Sequence, residues 1–153
     1  MAEDVPFNVD ILVGSPLWKG REEGLAKTLA AAAAAEGVGG TVSLLLGDDA
    51  SIAALNKEFR GKDGPTNVLS FPPAGEAEQG AERFLGDIAL AAETIVAEAE
   101  FHRKRAEDHA AHLVVHGFLH LLGYDHENPV DAEAMEARER AILASLGIED
   151  PYA

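Results

Sequence analysis

Residues 116–126 read HGFLHLLGYDH, and the rest of the chain can be organised around this stretch. His116 and His120 stand four positions apart in a segment whose apolar spacing predicts a helix from about Ala106 to Leu122. That spacing puts two side chains on one helix face with Cβ atoms about 5–6 Å apart, within reach of a single ion. Gly123 can take the left-handed conformation that ends a helix and turns the chain back, which lets His126 approach the same ion from another direction. Three imidazoles with no cysteine leave a fourth tetrahedral position to water, the donor set of a catalytic rather than a closed structural zinc site. His116, His120 and His126 are therefore the expected ligands of one divalent metal ion, zinc. His112 extends the series, but positions eight apart lie about 12 Å apart along a helix axis, whereas each ligand must sit about 2 Å from the zinc. It is expected to be a packed residue or one that supports a ligand.

Upstream of this helix the pattern alternates between strands and helices. Phe7 to Val13 (FNVDILV) alternates apolar and polar positions as a half-buried strand does, and Thr41 to Leu46 (TVSLLL) has the same character. Between them a helix is expected from about Leu17 to Ala35. The alanine run Ala30 to Ala35 is strong helix-forming composition, and Gly37 can end it. Asp48 and Asp49 offer caps for a short helix near Ser51 to Phe59, stopped by Gly61. Asn67 to Phe71 (NVLSF) and Phe84 to Leu90 read as two strands of a hairpin joined by a long, mobile Gly- and Glu-rich connection. Helices are then expected from Ala92 to Phe101 and, after the histidine helix, from Asp131 to Leu146 before Gly147. These pieces predict an α+β fold in a single domain, residues 1–153, with a small mixed four-stranded sheet packed against about five helices.

Composition narrows the chemistry. A chain of 153 residues supports one hydrophobic core, so motifs far apart in sequence are expected to share a domain. Without cysteine, disulfides, iron–sulfur clusters and thiolate metal sites are excluded. The first ten residues lack the basic and apolar regions of a secretory signal, and no stretch is long and apolar enough to span a bilayer. The expectation is a cytoplasmic protein with no membrane partner. The formal charge of −15 repels polyanions at long range, so any nucleic-acid partner must be met by local cations.

The histidine pattern is similar to the zinc-protease signature H-E-x-x-H-x-x-G-x-x-H, but Gly117 occupies the position of the general-base glutamate. A peptidase needs that carboxylate to take a proton from the metal water, so peptidase chemistry is disfavoured. Beyond the histidines, the chain carries Arg60-Gly61-Lys62-Asp63, Thr66-Asn67-Val68-Leu69-Ser70-Phe71-Pro72 and Leu85-Gly86-Asp87-Ile88. Further on it has Met135-Glu136, Leu146-Gly147 and Asp150-Pro151-Tyr152. With residues 116–126 these resemble the YbeY family of bacterial rRNA maturation factors and endoribonucleases, over roughly residues 40 to 152.

The resemblance implies a metal-dependent endoribonuclease directed at single-stranded RNA. Its expected roles are small-subunit rRNA 3′ end maturation and ribosome quality control, with ribosomal RNA and the small ribosomal subunit or its proteins as partners and no DNA. It implies a mixed fold with a small central sheet. It passes the metal to His116, His120 and His126 and a catalytic role to Arg60, whose guanidinium can clamp a phosphate and stabilise charge on its oxygens. Lys62 is a further expected substrate contact. Thr66, Asn67 and Ser70 either face substrate or complete strand and turn hydrogen bonds, and Asp125 either orients a ligand or its water or caps the turn. Lys57, Arg60 and Lys62 can form a modest basic patch. The run His102-Arg103-Lys104-Arg105 either extends it or is a solvated helix end. Two other readings stay open: a metal hydrolase with a non-RNA substrate, and a ribosome-associated assembly factor whose metal is mainly structural.

Overall fold

The computed structural model describes residues 6–73 and 83–152. In chain order the elements are β1 (Phe7–Val13), a 3-10 turn (Pro16–Trp18), α1 (Glu22–Glu36), β2 (Gly40–Gly47) and α2 (Asp49–Arg60). They continue with β3 (Val68–Phe71), β4 (Phe84–Ala91), α3 (Ala92–Phe101), α4 (Ala106–Leu121) and α5 (Pro129–Ser145). The four strands form one sheet in the order β1-β2-β4-β3. β1 runs parallel to β2 and β2 to β4, while β3 is antiparallel to β4, so the sheet is mixed and the α+β expectation holds. The expected hairpin partners are neighbours; their connection, residues 74–82, lies outside the described residues. Among the described residues no helix is long and apolar enough to cross a membrane.

Strand alternation divides the apolar side chains between two layers. Val42, Leu44, Leu46, Ile88 and Leu90 point to one face and are covered by Leu25, Leu29, Ala32 and Ala33 of α1 and by Val114, Val115, Phe118 and Leu119 of α4. The small side chains of Ala32 and Ala33, fully buried, let α1 approach closely, which is the structural use of the alanine run. Each fully buried Leu, Ile or Phe in this layer contributes about 1.5–3 kcal/mol by leaving water. The opposite face, with Ala89, Ala91, Leu69 and partly buried Leu45 and Phe71, is covered by α2 through Ile52 and Leu55. The sheet thus lies between the Ile52 and Leu55 face of α2 and α4.

Two boundaries differ from the sequence expectation for physical reasons. The helix expected from Leu17 begins only at Glu22. Gly20 has φ 85°, and the buried Trp18 indole N–H donates to the Gly47 carbonyl at 2.8 Å, so a tertiary contact holds the turn that precedes α1. Asp48 caps α2 as expected, accepting from the Ser51 N–H at 2.8 Å. Asp49 instead accepts from the backbone N–H of Thr94 at 3.0 Å and from its hydroxyl at 2.9 Å, satisfying a donor at the start of α3.

Gly86 sits where β4 bulges against β2, with φ 134°. A Cβ there would lie 2.5 Å from the Phe71 carbonyl oxygen and 2.6 Å from the Leu121 side chain, next to His120. Gly86→Ala is expected to lower stability by on the order of 2 kcal/mol, combining backbone strain with displacement of Leu121. Urea unfolding of the two proteins measures it. A difference under about 0.5 kcal/mol, the level of an ordinary surface substitution, would count against this placement of the end of α4.

Candidate metal centre

The local sequence makes the end of α4 a well-defined stop. Leu122 is the last capping residue, and Gly123 follows with φ 100°. The Tyr124 N–H donates to the Leu119 carbonyl at 3.0 Å and the Gly123 N–H to the His120 carbonyl at 3.0 Å, the pair of bonds of a Schellman cap. The turn is then tied down at a distance. The Tyr124 hydroxyl donates to Glu36 at the end of α1 at 2.7 Å, and Arg138 of α5 donates to the other oxygen of Glu36 at 2.7 Å. Asp125 accepts the N–H of His126 at 2.7 Å, so its carboxylate shapes the turn.

This arrangement brings His116, His120 and His126 together, with one nitrogen of each within 4.8 Å of the others. Their ring centroids are 4.7, 4.9 and 5.3 Å apart. His116 and His120 are half-buried, and His126 is exposed, so the cluster has a protein side and a solvent side. Burial, followed by the neighbouring His116 and His126 rings, holds the pKa of His120 below the ordinary histidine value. His120 therefore favours the neutral form, the form that can donate a lone pair to a metal.

A fourth residue, absent from the sequence expectations, completes the site. Glu139, in the middle of α5, is fully buried and accepts from His116 Nδ1 at 2.6 Å. The same carboxylate accepts from the Tyr152 hydroxyl, and His112 Nε2 lies 3.2 Å from that hydroxyl and 3.5 Å from Glu139 Oε1. Burial by itself would raise the Glu139 pKa. Hydrogen bonds with His112, His116 and Tyr152 outweigh it and hold the group at about 2, so it is a carboxylate. With Nδ1 of His116 donating to Glu139, Nε2 is the nitrogen left for an ion. A carboxylate behind a ligating imidazole fixes its tautomer and orientation and raises its basicity. The donor set fits a divalent ion: three imidazole nitrogens, one of them backed by a carboxylate, and an open side. His112 is not among the donors; it supports Glu139. A sequence signal for Glu139 did exist, because it lies on the stripe of buried Met135, Ile142 and Leu143, where a charged residue requires a partner.

Gly117 has a structural explanation too. A Cβ at this position would meet Ile88 and Val68 at 3.3 Å, so the residue faces the sheet and lets α4 lie close to it. A glutamate there would point into the core.

The model of the family described as Endoribonuclease YbeY matches residues 18–147. The chain belongs to the YbeY family. An Endoribonuclease YbeY of Bradyrhizobium diazoefficiens is 52% identical, over 94% of this chain and 84% of the relative. One from Chelativorans sp. is 49% identical, over 99% of this chain and 97% of its own length. The solution structure of a Thermotoga maritima protein superposes with a TM-score of 0.59 at 29% identity, covering 91% of each chain.

The YbeY-like motif around β3 reaches the end of α4 through Phe71, which meets Phe59 of α2 and, with Leu121, crowds Gly86. Arg60 is the last residue of α2, exposed, with Nη1 donating to Asn56 Oδ1 at 3.4 Å, and Lys62 is exposed in the loop that follows. Among the described residues no hydrogen bond or ion pair joins either to His116, His120 or His126, and α2 packs on the other face of the sheet. Lys57 is paired with Asp63 at 3.1 Å, which reduces the basic patch expected there. Asn67 has structural partners: its side-chain amide donates to Glu98 at 3.0 Å and its carbonyl accepts from the Ala91 N–H at 3.0 Å.

Proposed function

We propose that this chain is a metal-dependent endoribonuclease that cuts single-stranded RNA during maturation of small-subunit ribosomal RNA. The observation that carries the reading is the three-imidazole cluster of a YbeY family member, buttressed by a buried carboxylate on one side and open on the other. His116, His120 and His126 hold the ion, and zinc suits three imidazole nitrogens with an open fourth position. The ion supplies Lewis acidity toward a phosphodiester oxygen and an acidified water. Glu139 keeps the His116 ring in its ligating orientation and, with all its acceptor positions turned toward the protein, does not serve as the proton acceptor for the attack. Arg60 and Lys62 provide positive charge for the phosphates of a strand lying over the β3 edge. Their bonds to phosphate oxygens orient the strand and offset charge that builds as the P–O bond breaks.

The net charge of −15 makes unaided RNA affinity weak and strongly salt-dependent, so the ribosomal small subunit or one of its proteins supplies part of the positioning in the cytoplasm. The test uses untagged protein freed of contaminating nuclease, incubated with a single-stranded and a fully paired RNA, beside His116→Ala. Cleavage of the single strand by the native chain alone, abolished by chelator and restored by zinc, is expected. Equal cleavage by His116→Ala, or none by either protein with metal present, would overturn the reading.

A further inference from the structure

The junction between α3 and α4 has features that the metal centre does not explain. A cleft of about 290 Å³ opens there, lined by Arg103, Lys104, Arg105, His109, His112 and the segment 148–151. It holds three consecutive cations, of which Arg105 is paired with Glu107 at 2.8 Å, in a chain that has 12 lysines and arginines against 27 acidic residues. Acidic groups also line it. Of these, Asp150 is engaged by Arg140 at 3.2 Å and by the Tyr152 N–H at 2.8 Å, leaving Asp108 and Glu149.

The backbone at Arg103 is the second observation. α3 ends in a cap in which the Lys104 N–H donates to the Ala99 carbonyl at 2.8 Å, and Arg103 occupies the left-handed position, φ 56°, that glycine usually fills. It is the only non-glycine residue with positive φ among the described residues. A bulky cation kept where glycine would be easier marks a side chain with a use. Among the described residues its guanidinium has no ion pair. Lys104 spends one of its three donors on the Pro151 carbonyl at 3.0 Å.

Two histidines give the third observation. His109 lines the cleft with a side chain only 11% exposed, its Nε2 is bonded to Glu98 at 2.8 Å, and its buried Nδ1 has no protein partner. Held against Glu98, this imidazole forms a fixed wall of the cleft. His112 lines the cleft as well, and its ring centroid is 6.4 Å from that of His116 and 6.4 Å from that of His109. His112 thus joins the lining of the cleft to the metal centre along one face of α4, while His116, His120 and His126 lie outside that lining.

We propose that this cleft is a second RNA subsite, in which Arg103 and Lys104 hold a backbone phosphate of the same strand whose scissile bond lies at the three histidines. The inference rests on the endoribonuclease reading for the identity of the anion, and it sets the direction of the strand along α4. It also predicts a minimum substrate length, because a dinucleotide at the histidines cannot reach the α3–α4 junction. Phosphate contacts of this kind position a strand without reading its sequence.

The test is binding of uncleavable 2′-O-methyl oligoribonucleotides to the intact, metal-loaded protein, followed by fluorescence anisotropy over a range of salt. The double variant Arg103→Gly, Lys104→Gln removes both charges, and glycine suits the left-handed backbone, so misfolding is not the expected cause of any loss. Lys19→Gln, Lys27→Gln, at two exposed lysines outside the cleft, controls for the same change in net charge. The expected result is binding of a ten-nucleotide strand severalfold weaker than for the native chain. The slope of log affinity against log salt should fall by about 0.7, the value for one phosphate no longer neutralised on a single strand. Dinucleotide binding should not change. Equal affinity and slope for the Arg103→Gly, Lys104→Gln variant and the Lys19→Gln, Lys27→Gln control, or no measurable binding by the native chain, would overturn the proposal. Cleavage of ordinary RNA is scored separately: length-dependent binding that falls in the double variant, with no cleavage by the native chain, would support this subsite while removing the endoribonuclease reading.

Discussion

His120→Ala is expected to reduce bound metal from about one ion per chain to none, and RNA cleavage by on the order of 10³-fold, as loss of several kcal/mol of transition-state stabilisation requires. His120 is the best single site for this test because it is the middle of the cluster, with ring centroids 4.7 and 4.9 Å from His116 and His126. Removing it leaves two nitrogens from different backbone segments, too few to retain zinc against water. The substitution should cost the metal-free fold little. His120 lies half-buried at the end of α4, and its side chain anchors no hydrogen bond of the Schellman cap, which is made by backbone groups. The discriminating measurement is the stability gained on adding metal. For the native chain at a free concentration a hundred times Kd, that gain is about 2.7 kcal/mol. For His120→Ala it should vanish, while the metal-free unfolding midpoints agree. Stoichiometric zinc in the variant would remove the three-histidine centre, and undiminished cleavage would remove the ion from the chemistry.

What could be read from the sequence was what is local. The i, i+4 pair His116 and His120 and the helix stop at Gly123 depend on a few consecutive residues, so periodicity and one glycine were enough to bring three histidines to one place. The strands were legible for the same reason: the alternation in Phe7–Val13 and the run Phe84–Ala91 each carry their own pattern. The start of α1 was not, because a bond from Trp18 to Gly47, 29 residues away, decides it. Glu139 was missed through the same kind of distance. Nothing near it in sequence names His116, 23 residues earlier, as its partner; only its place on the buried face of α5 hinted that a charge was being satisfied. Arg60 shows the converse limit. A motif can bring a residue to attention without placing it, and here no hydrogen bond or ion pair among the described residues ties Arg60 to the histidines.

Glu139→Gln should separate positioning from ligation. The glutamine keeps the volume of the buried side chain and can still accept one hydrogen bond, but it lacks the charge that raises the basicity of the His116 ring. It also presents an NH₂ group where the native carboxylate accepts from the Tyr152 hydroxyl. Metal affinity is expected to fall about 10–100-fold, the usual effect of losing a carboxylate behind a metal-bound histidine. The variant should stay folded, and saturating zinc should restore most of its RNA cleavage, a rescue that His120→Ala cannot show. The acid limb of stability supplies an independent readout. Because the folded Glu139 pKa is depressed to about 2 from 4.5, the unfolded chain binds the extra proton in that interval. The contribution of this group is thus complete above pH 4.5 and is lost as pH falls toward 2. Urea titrations of the metal-free proteins should show native stability falling more steeply over this interval than that of Glu139→Gln. Tyr152→Phe removes one donor from the carboxylate and leaves the His116 contact in place. Its loss of stability should begin over the same pH range, set by the unfolded chain, but be smaller and complete at a higher pH than in the native chain, with a smaller change in metal affinity than Glu139→Gln produces. Parallel acid limbs in the native chain and Glu139→Gln, with unchanged zinc affinity, would mean that His116 holds its orientation without Glu139.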